Sequence, residues 1–246
     1  MDEEREESGG GRLRIDFDRA RRTTPARLAV GRAGTRPPTA AWLAFQRDHA
    51  AARDAVWSEW SEGFVGWLRG AGFLVVASTA PDRTAYVRQP PLGRVLPEAA
   101  IAAIRDASVT EPAIQLVLSD GLSACAAEAH FARLYDGLRH HLESLGTLAR
   151  PVAVRNGRVA VADVVGAAVG AAVVVHVIGE RPGLGAADSL GCYLTWRPGP
   201  STTDADRKCV SNVRPAGLDP TEAGATIAGV CRRILEHGTS GTDLVL

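Results

Sequence analysis

Two short, uninterrupted apolar runs constrain this chain more than any other feature. Residues 113–119 read AIQLVLS and residues 172–178 read AVVVHVI. Neither alternates with polar residues, and turn signals (Asp120-Gly121 and Gly179) stop both. A strand buried on both faces looks like this, and such strands belong to parallel sheets covered by helices. Helical periodicity falls where that sheet needs it. Pro97–Ala107 reads as a helix, and a longer one after Gly121 puts Phe131, Leu134, Leu138, Leu142 and Leu145 on one face. A third helix is expected near Asp163–Gly170. The last one starts with Asp219 as N-cap, Pro220 in its first turn and Glu222 completing a capping box. It turns Ile227, Val230, Ile234 and Leu235 inward and ends at Gly238. Phe73–Ser78 and Cys192–Trp196 read as further strands. Val152–Val154 and Val159–Val161 flank Asn156-Gly157 in the pattern of a tight β-turn.

The alternation from about residue 96 onward predicts an α/β fold: a mostly parallel, Rossmann-like sheet with helices on both faces, preceded by a helical N-terminal segment. Three parts are expected. Residues 1–24 read as a charged, Gly-interrupted, disordered tail. Residues 25–95 form the helical segment, in which Thr39 caps a helix carrying Trp42, Phe45, His49, Ala52 and Val56 as one apolar stripe. Residues 96–246 form the α/β domain.

Composition narrows the function classes. The 246 residues carry 28 basic and 28 acidic side chains, so bulk electrostatics favours neither nucleic acid nor a membrane surface. No apolar run is long enough to span a bilayer, and residues 1–12 have no signal-peptide centre. Cys125, Cys192, Cys209 and Cys231 show neither metal-ligand spacing nor a C-x-x-C pair, which fits a reducing, cytoplasmic setting. No metal site is expected.

Ligands of open parallel sheets bind beyond the C-terminal strand ends. Ser119–Ser123 and Gly179–Gly185 are the loops in question. The first is adequately explained as a tight βα turn, whereas Gly-Glu-Arg-Pro-Gly is richer than a turn requires. Asp188 stands where a dinucleotide fingerprint needs a small residue, and the single lysine, Lys208, lies in no Gly-rich run. Ser119 and Ser123 lack a nucleophile frame. His176 reads as a core histidine. His176-x-x-Gly179 matches half of the motif by which some cobalamin proteins replace the cofactor's lower base, but Val174 occupies the place of its aspartate. No catalytic residue is assigned. The residues alone reach an α/β domain with a ligand site near Glu180 and no self-sufficient catalytic set; the alternative to the enzyme subunit implied by the resemblance given next is a non-enzymatic α/β carrier or reactivation partner for a corrinoid or nucleotide.

Four ordered segments carry a resemblance. They are Gly31-Arg-Ala-Gly-Thr-Arg-Pro37, Val117-Leu-Ser-Asp-Gly-Leu-Ser123, Ile178-Gly-Glu-Arg-Pro-Gly-Leu-Gly185 with Asp188-Ser-Leu190, and Asp204-Ala-Asp-Arg-Lys-Cys-Val-Ser-Asn212. In this order and spacing the chain, over about residues 25–246, resembles the small (light) chain of ethanolamine ammonia-lyase. The resemblance implies an adenosylcobalamin-dependent carbon–nitrogen lyase that splits ethanolamine into acetaldehyde and ammonia by a radical mechanism, with cobalamin keeping its own lower base. It implies a large (heavy) partner subunit that binds ethanolamine and carries the radical chemistry, the cofactor lying between the chains in a large hetero-oligomer. The small chain would then be active only in that assembly. Val159, Glu180 and Cys209 match the family's cobalamin-contact positions. Relatives packaged in bacterial microcompartments begin with an amphipathic helix, and the charged, Gly-interrupted residues 1–24 argue against packaging here.

Overall fold

The structure, a computed structural model, describes residues 16–24 and 26–244. The chain forms α1 (Phe17–Thr23), α2 (Thr39–Trp57), α3 (Glu62–Gly70), β1 (Leu74–Ala77), α4 (Arg83–Arg88), α5 (Glu98–Ala107), β2 (Ile114–Ser119) and α6 (Ala124–Glu143). It continues with β3 (Val152–Arg155), α7 (Val161–Val169), β4 (Val173–Gly179), β5 (Leu190–Trp196), β6 (Arg207–Val213) and α8 (Pro220–His237). It divides into two compact units, residues 1–47 and 48–246. Residues 1–15 of the expected tail lie outside the described residues. Phe17–Thr23 form α1, whose cap is Asp16: its carboxylate accepts from the N–H groups of Asp18 and Arg19.

The sheet belongs to the second unit and has the order β1-β3-β2-β4-β5-β6. The first four strands in that order are parallel, whereas β5 and β6 add to β4 antiparallel. The parallel expectation therefore holds for four strands and stops at β4. There the chain returns through the loop after Gly179 instead of crossing over through a helix. Ahead of residue 96 the chain is not purely helical, because it also supplies the edge strand β1.

Every residue of β2 and β4 is buried. Their side chains alternate between two cores, as the two-residue strand period requires. Leu116, Leu118, Val173, Val175 and Val177 join a core built with α3, α6 and α8. Val117 and Val174 join one built with α5 and α7. Helices thus cover both faces. Phe131, Leu134, Leu138 and Leu142 of α6 are fully buried, and Gly170 and Gly238 end α7 and α8 in the left-handed conformation.

Two segments take a course that their sequence pattern does not specify. Asn156-Gly157 does not open a hairpin: β3 is flanked on both sides by parallel partners, so the chain has to leave the sheet, and Val161 begins α7 rather than a returning strand. The α2 helix forms, but its apolar stripe is not a buried one. Trp42 is 50% exposed, and Ala55 is the helix's buried residue. Periodicity identifies an amphipathic helix without naming what covers it.

Candidate functional site

A cleft of about 360 Å³ opens at the C-terminal ends of β2, β3 and β4. The topology explains its position. The helix after β2 packs on one face of the sheet and the helix after β3 on the other, so the two connections diverge and leave a crevice between them. Gly121 and Leu122 come from the β2 connection, Arg158 and Val159 from the β3 connection, and Ile178–Arg181 from the end of β4. Tyr86 of α4 and Tyr193 of β5 complete the wall.

Backbone packing makes the cleft floor. Leu122 N–H donates to the Gly179 carbonyl at 3.1 Å. A Cβ on Gly179 would run into the carbonyl oxygens of Ser123 and Asp120, and one on Gly121 into the Gly179 carbonyl. Gly121 also has a φ of +55°. Only glycine lets the two connections approach this closely.

Val159 and Glu180 both line this cleft. Val159 lies between β3 and α7. Glu180 follows β4, and its carboxylate folds towards β5 and β6. It accepts from the Ser189 hydroxyl at 2.6 Å and from the N–H of Asn212 at 3.2–3.3 Å. Two backbone features allow this. Asn212 has a φ of +58°, and Gly191 sits at a register shift, where a Cβ would come within 2.9 Å of the carboxylate. Two acceptor oxygens with these bonds still have lone pairs to offer a ligand.

Cys209 is not itself in the cleft wall. It lies on the edge strand β6 in register with Tyr193, whose side chain is. Phenol and thiol interact, so Tyr193 bridges Cys209 to the cleft. Burial, then the neighbouring Cys209 thiol and the Glu180 carboxylate, push the Tyr193 phenol up to about 12. Although Cys209 as a residue is exposed, the surrounding protein desolvates its thiol, and with Glu180 this raises its pKa. Both groups are therefore neutral at physiological pH, and Cys209 is not a thiolate.

The sequence analysis assigned no role to several residues that line or support the cleft, Tyr193 among them. Arg181 and Arg158 line the cleft, although both stood in segments already singled out. Tyr86 stood in a helix that the periodicity had not revealed. Two guanidinium groups lie over the ring of Tyr86, Arg83 at 4.6 Å and Arg158 at 4.2 Å from its centroid. Tyr86 O–H donates to the Gly157 carbonyl, and Arg158 Nη2 donates to the Tyr86 carbonyl. Asp120, read as a turn residue, is buried beneath the cleft and ties the β2 connection to the β3 connection.

His176 is a core residue, as expected. Its Nε2 pairs with the Ser119 hydroxyl at 2.8 Å, and burial lowers its pKa to about 3, which the nearby Val159 carbonyl does not offset. The ring is neutral. Among the described residues, no group of three or more His, Cys, Asp and Glu side chains could hold a metal ion. No described helix is long and apolar enough to cross a membrane. The family model described as "Ethanolamine ammonia-lyase light chain (EutC)" matches residues 15–245.

Proposed function

The chain belongs to the ethanolamine ammonia-lyase light-chain family, and we propose that it is the small subunit of an adenosylcobalamin-dependent lyase, holding one side of the corrinoid at the interface with a large subunit. The observation that carries this reading is the meeting of Val159 and Glu180 in one cleft, with Cys209 one side chain behind it. These three residues are separated by 21 and 29 positions in the sequence, and a parallel sheet with an antiparallel flank brings them together.

The residues fit the group. A corrinoid presents amide side chains, which both donate and accept. The cleft answers with Glu180 as acceptor, Arg158 and Arg181 as donors, and the neutral Tyr193 phenol as either. Val159 supplies apolar surface. His176 is committed to Ser119 inside the core, so it supports a cofactor that keeps its own lower base. The cleft lies at the lower end of the size range for small-molecule sites. It therefore covers only part of a corrinoid, and the remaining surface belongs to the partner.

When bound, adenosylcobalamin supplies the radical chemistry that converts ethanolamine to acetaldehyde and ammonia. This chain's work is to bind, orient and exclude water. Its cleft holds no paired acid and base, and the substrate pocket belongs to the large subunit. Trp42 and Leu43, exposed and adjacent on α2, support a partner surface, since neighbouring large apolar side chains left open form a patch that a second chain can cover. The protein is cytoplasmic in this reading.

Co-expression with a large subunit tests the proposal. The isolated chain should show no ethanolamine-dependent acetaldehyde formation, and the copurified pair should show it once adenosylcobalamin is added. A correctly assembled pair without turnover would overturn the reading, and corrinoid binding by this chain alone without assembly would favour a carrier.

A further inference from the structure

A single carboxylate supports the cleft wall that carries Arg158 and Val159. Asp120, directly after β2, is 3% exposed. Its Oδ2 accepts from the N–H of Asn156 at 2.9 Å and its Oδ1 from the N–H of Gly157 at 3.1 Å. Asn156 has a φ of +53°. That left-handed residue turns two successive N–H groups to one side, the backbone concavity that proteins use to bind anions. Here the anion is internal. Gly157 allows the approach, because a Cβ there would collide with the Ser119 side chain. The next residue is fixed as well, since Arg158 N–H donates to the Gly93 carbonyl at 2.7 Å.

We propose that Asp120 is the positioning residue of the cleft: its ionised carboxylate, seated in the concavity of Asn156 and Gly157, sets the backbone from which Arg158 and Val159 reach the bound corrinoid. The role in binding rests on the function proposed above. The role in holding the loop does not.

The charged and titratable surroundings of Asp120 are few. Helix α4 presents Arg83, whose Nη1 lies 3.4 Å from Oδ2, and Tyr86, whose phenol burial keeps neutral. The β3 connection presents Arg158, whose guanidinium lies over the Tyr86 ring. Burial raises the carboxyl to about 6, opposed by Arg83 and by the N–H groups of Asn156, Gly157 and Gly121. The sign of the pH effect follows. Between an ordinary carboxylate pKa and about 6 the folded state keeps a proton that the unfolded state gives up, so this group's contribution to global stability increases as pH falls. What acid removes is local: a neutral carboxyl no longer offers two anionic oxygens to the loop. Acid should therefore loosen residues 156–159 while the fold holds.

Hydrogen exchange and hydroxocobalamin binding, both on the copurified two-subunit complex, test this. In the wild type, protection of the segment 156–159, corrected for intrinsic exchange, should fall about tenfold between pH 7.5 and 5.5 while the core strands keep theirs. Asp120→Asn should show the low protection at both pH values and bind hydroxocobalamin about tenfold more weakly at pH 7.5. Because Asp120→Asn leaves Arg83 buried without its partner, Asp120→Asn with Arg83→Met is the companion variant, and it should keep the loop unprotected. Wild-type protection and affinity in Asp120→Asn would overturn the proposal. So would restored protection in the double variant, since Asp120 would then only neutralise Arg83, and so would lost protection with unchanged affinity. If the wild-type complex takes up no hydroxocobalamin, the corrinoid reading fails, and the exchange arm still decides whether Asp120 holds the loop.

Discussion

The parallel strands and the antiparallel flank build the cleft by different means. In β2 and β4 every residue is buried, and their connections shape the cleft through backbone: Gly121 against Gly179, and Asn156-Gly157 around Asp120. In β6 only Val213 is buried, and the flank contributes side chains and an edge. His176 and Cys209 illustrate this, since each is a register partner of Tyr193 on opposite sides. The first is sealed in the core with its pKa pressed down to about 3, and the second is exposed. Backbone-built parts tolerate little change because nothing in them can rotate away. Side-chain-built parts can change ligand contacts without threatening the fold.

Four substitutions can break or sharpen that contrast. Gly179→Ala should have the largest effect, about 3 kcal/mol or more of lost stability in denaturant unfolding, because its Cβ would meet two backbone carbonyls that cannot move aside. A loss below about 1 kcal/mol would break the contrast. Asp163→Asn tests the seam. Asp163 of α7 pairs with Arg207 of β6, and both side chains are at least nine-tenths buried. Removing one member should cost about 2–3 kcal/mol, less than a fully isolated buried charge because Arg207 keeps Asp204. Glu180→Gln should leave the thermal midpoint almost unchanged, because an oxygen remains for Ser189 and Asn212. It should weaken hydroxocobalamin affinity of the complex about tenfold. The smallest effect is expected for Cys209→Ser, less than about threefold in affinity. Since the thiol pKa is raised, the complex's activity should show no step with the sign of thiolate formation between pH 7 and 8.5.

Where burial leaves only one kind of residue, the sequence could be read directly. The runs containing β2 and β4 have apolar neighbours on both faces and identify themselves, as do α6 and the Asp219 cap of α8. Strand direction left no such trace. Nothing in Leu190–Trp196 says that it returns antiparallel, and Arg207–Val213 has too many polar residues to look like a strand because its edge faces outward. Asn156-Gly157 announced a turn correctly, but the choice between hairpin and crossover depends on partners far away in sequence. Of the candidate site, Glu180 was visible as an acidic residue in an over-rich loop, and Val159 and Cys209 were proposed only through family resemblance. Asp120 stayed hidden because a buried carboxylate in a backbone concavity resembles an ordinary Asp-Gly turn, and Tyr86 because its helix, Arg83–Arg88, is too short to show a period.

The central claim is that the cleft at the strand ends covers the corrinoid, and filling it is the most direct test. Val159→Trp places a large side chain on a half-buried cleft wall outside both cores. The copurified complex should stay assembled and lose about a hundredfold in hydroxocobalamin affinity. Assembly with wild-type affinity would contradict the account, because the corrinoid would then lie elsewhere.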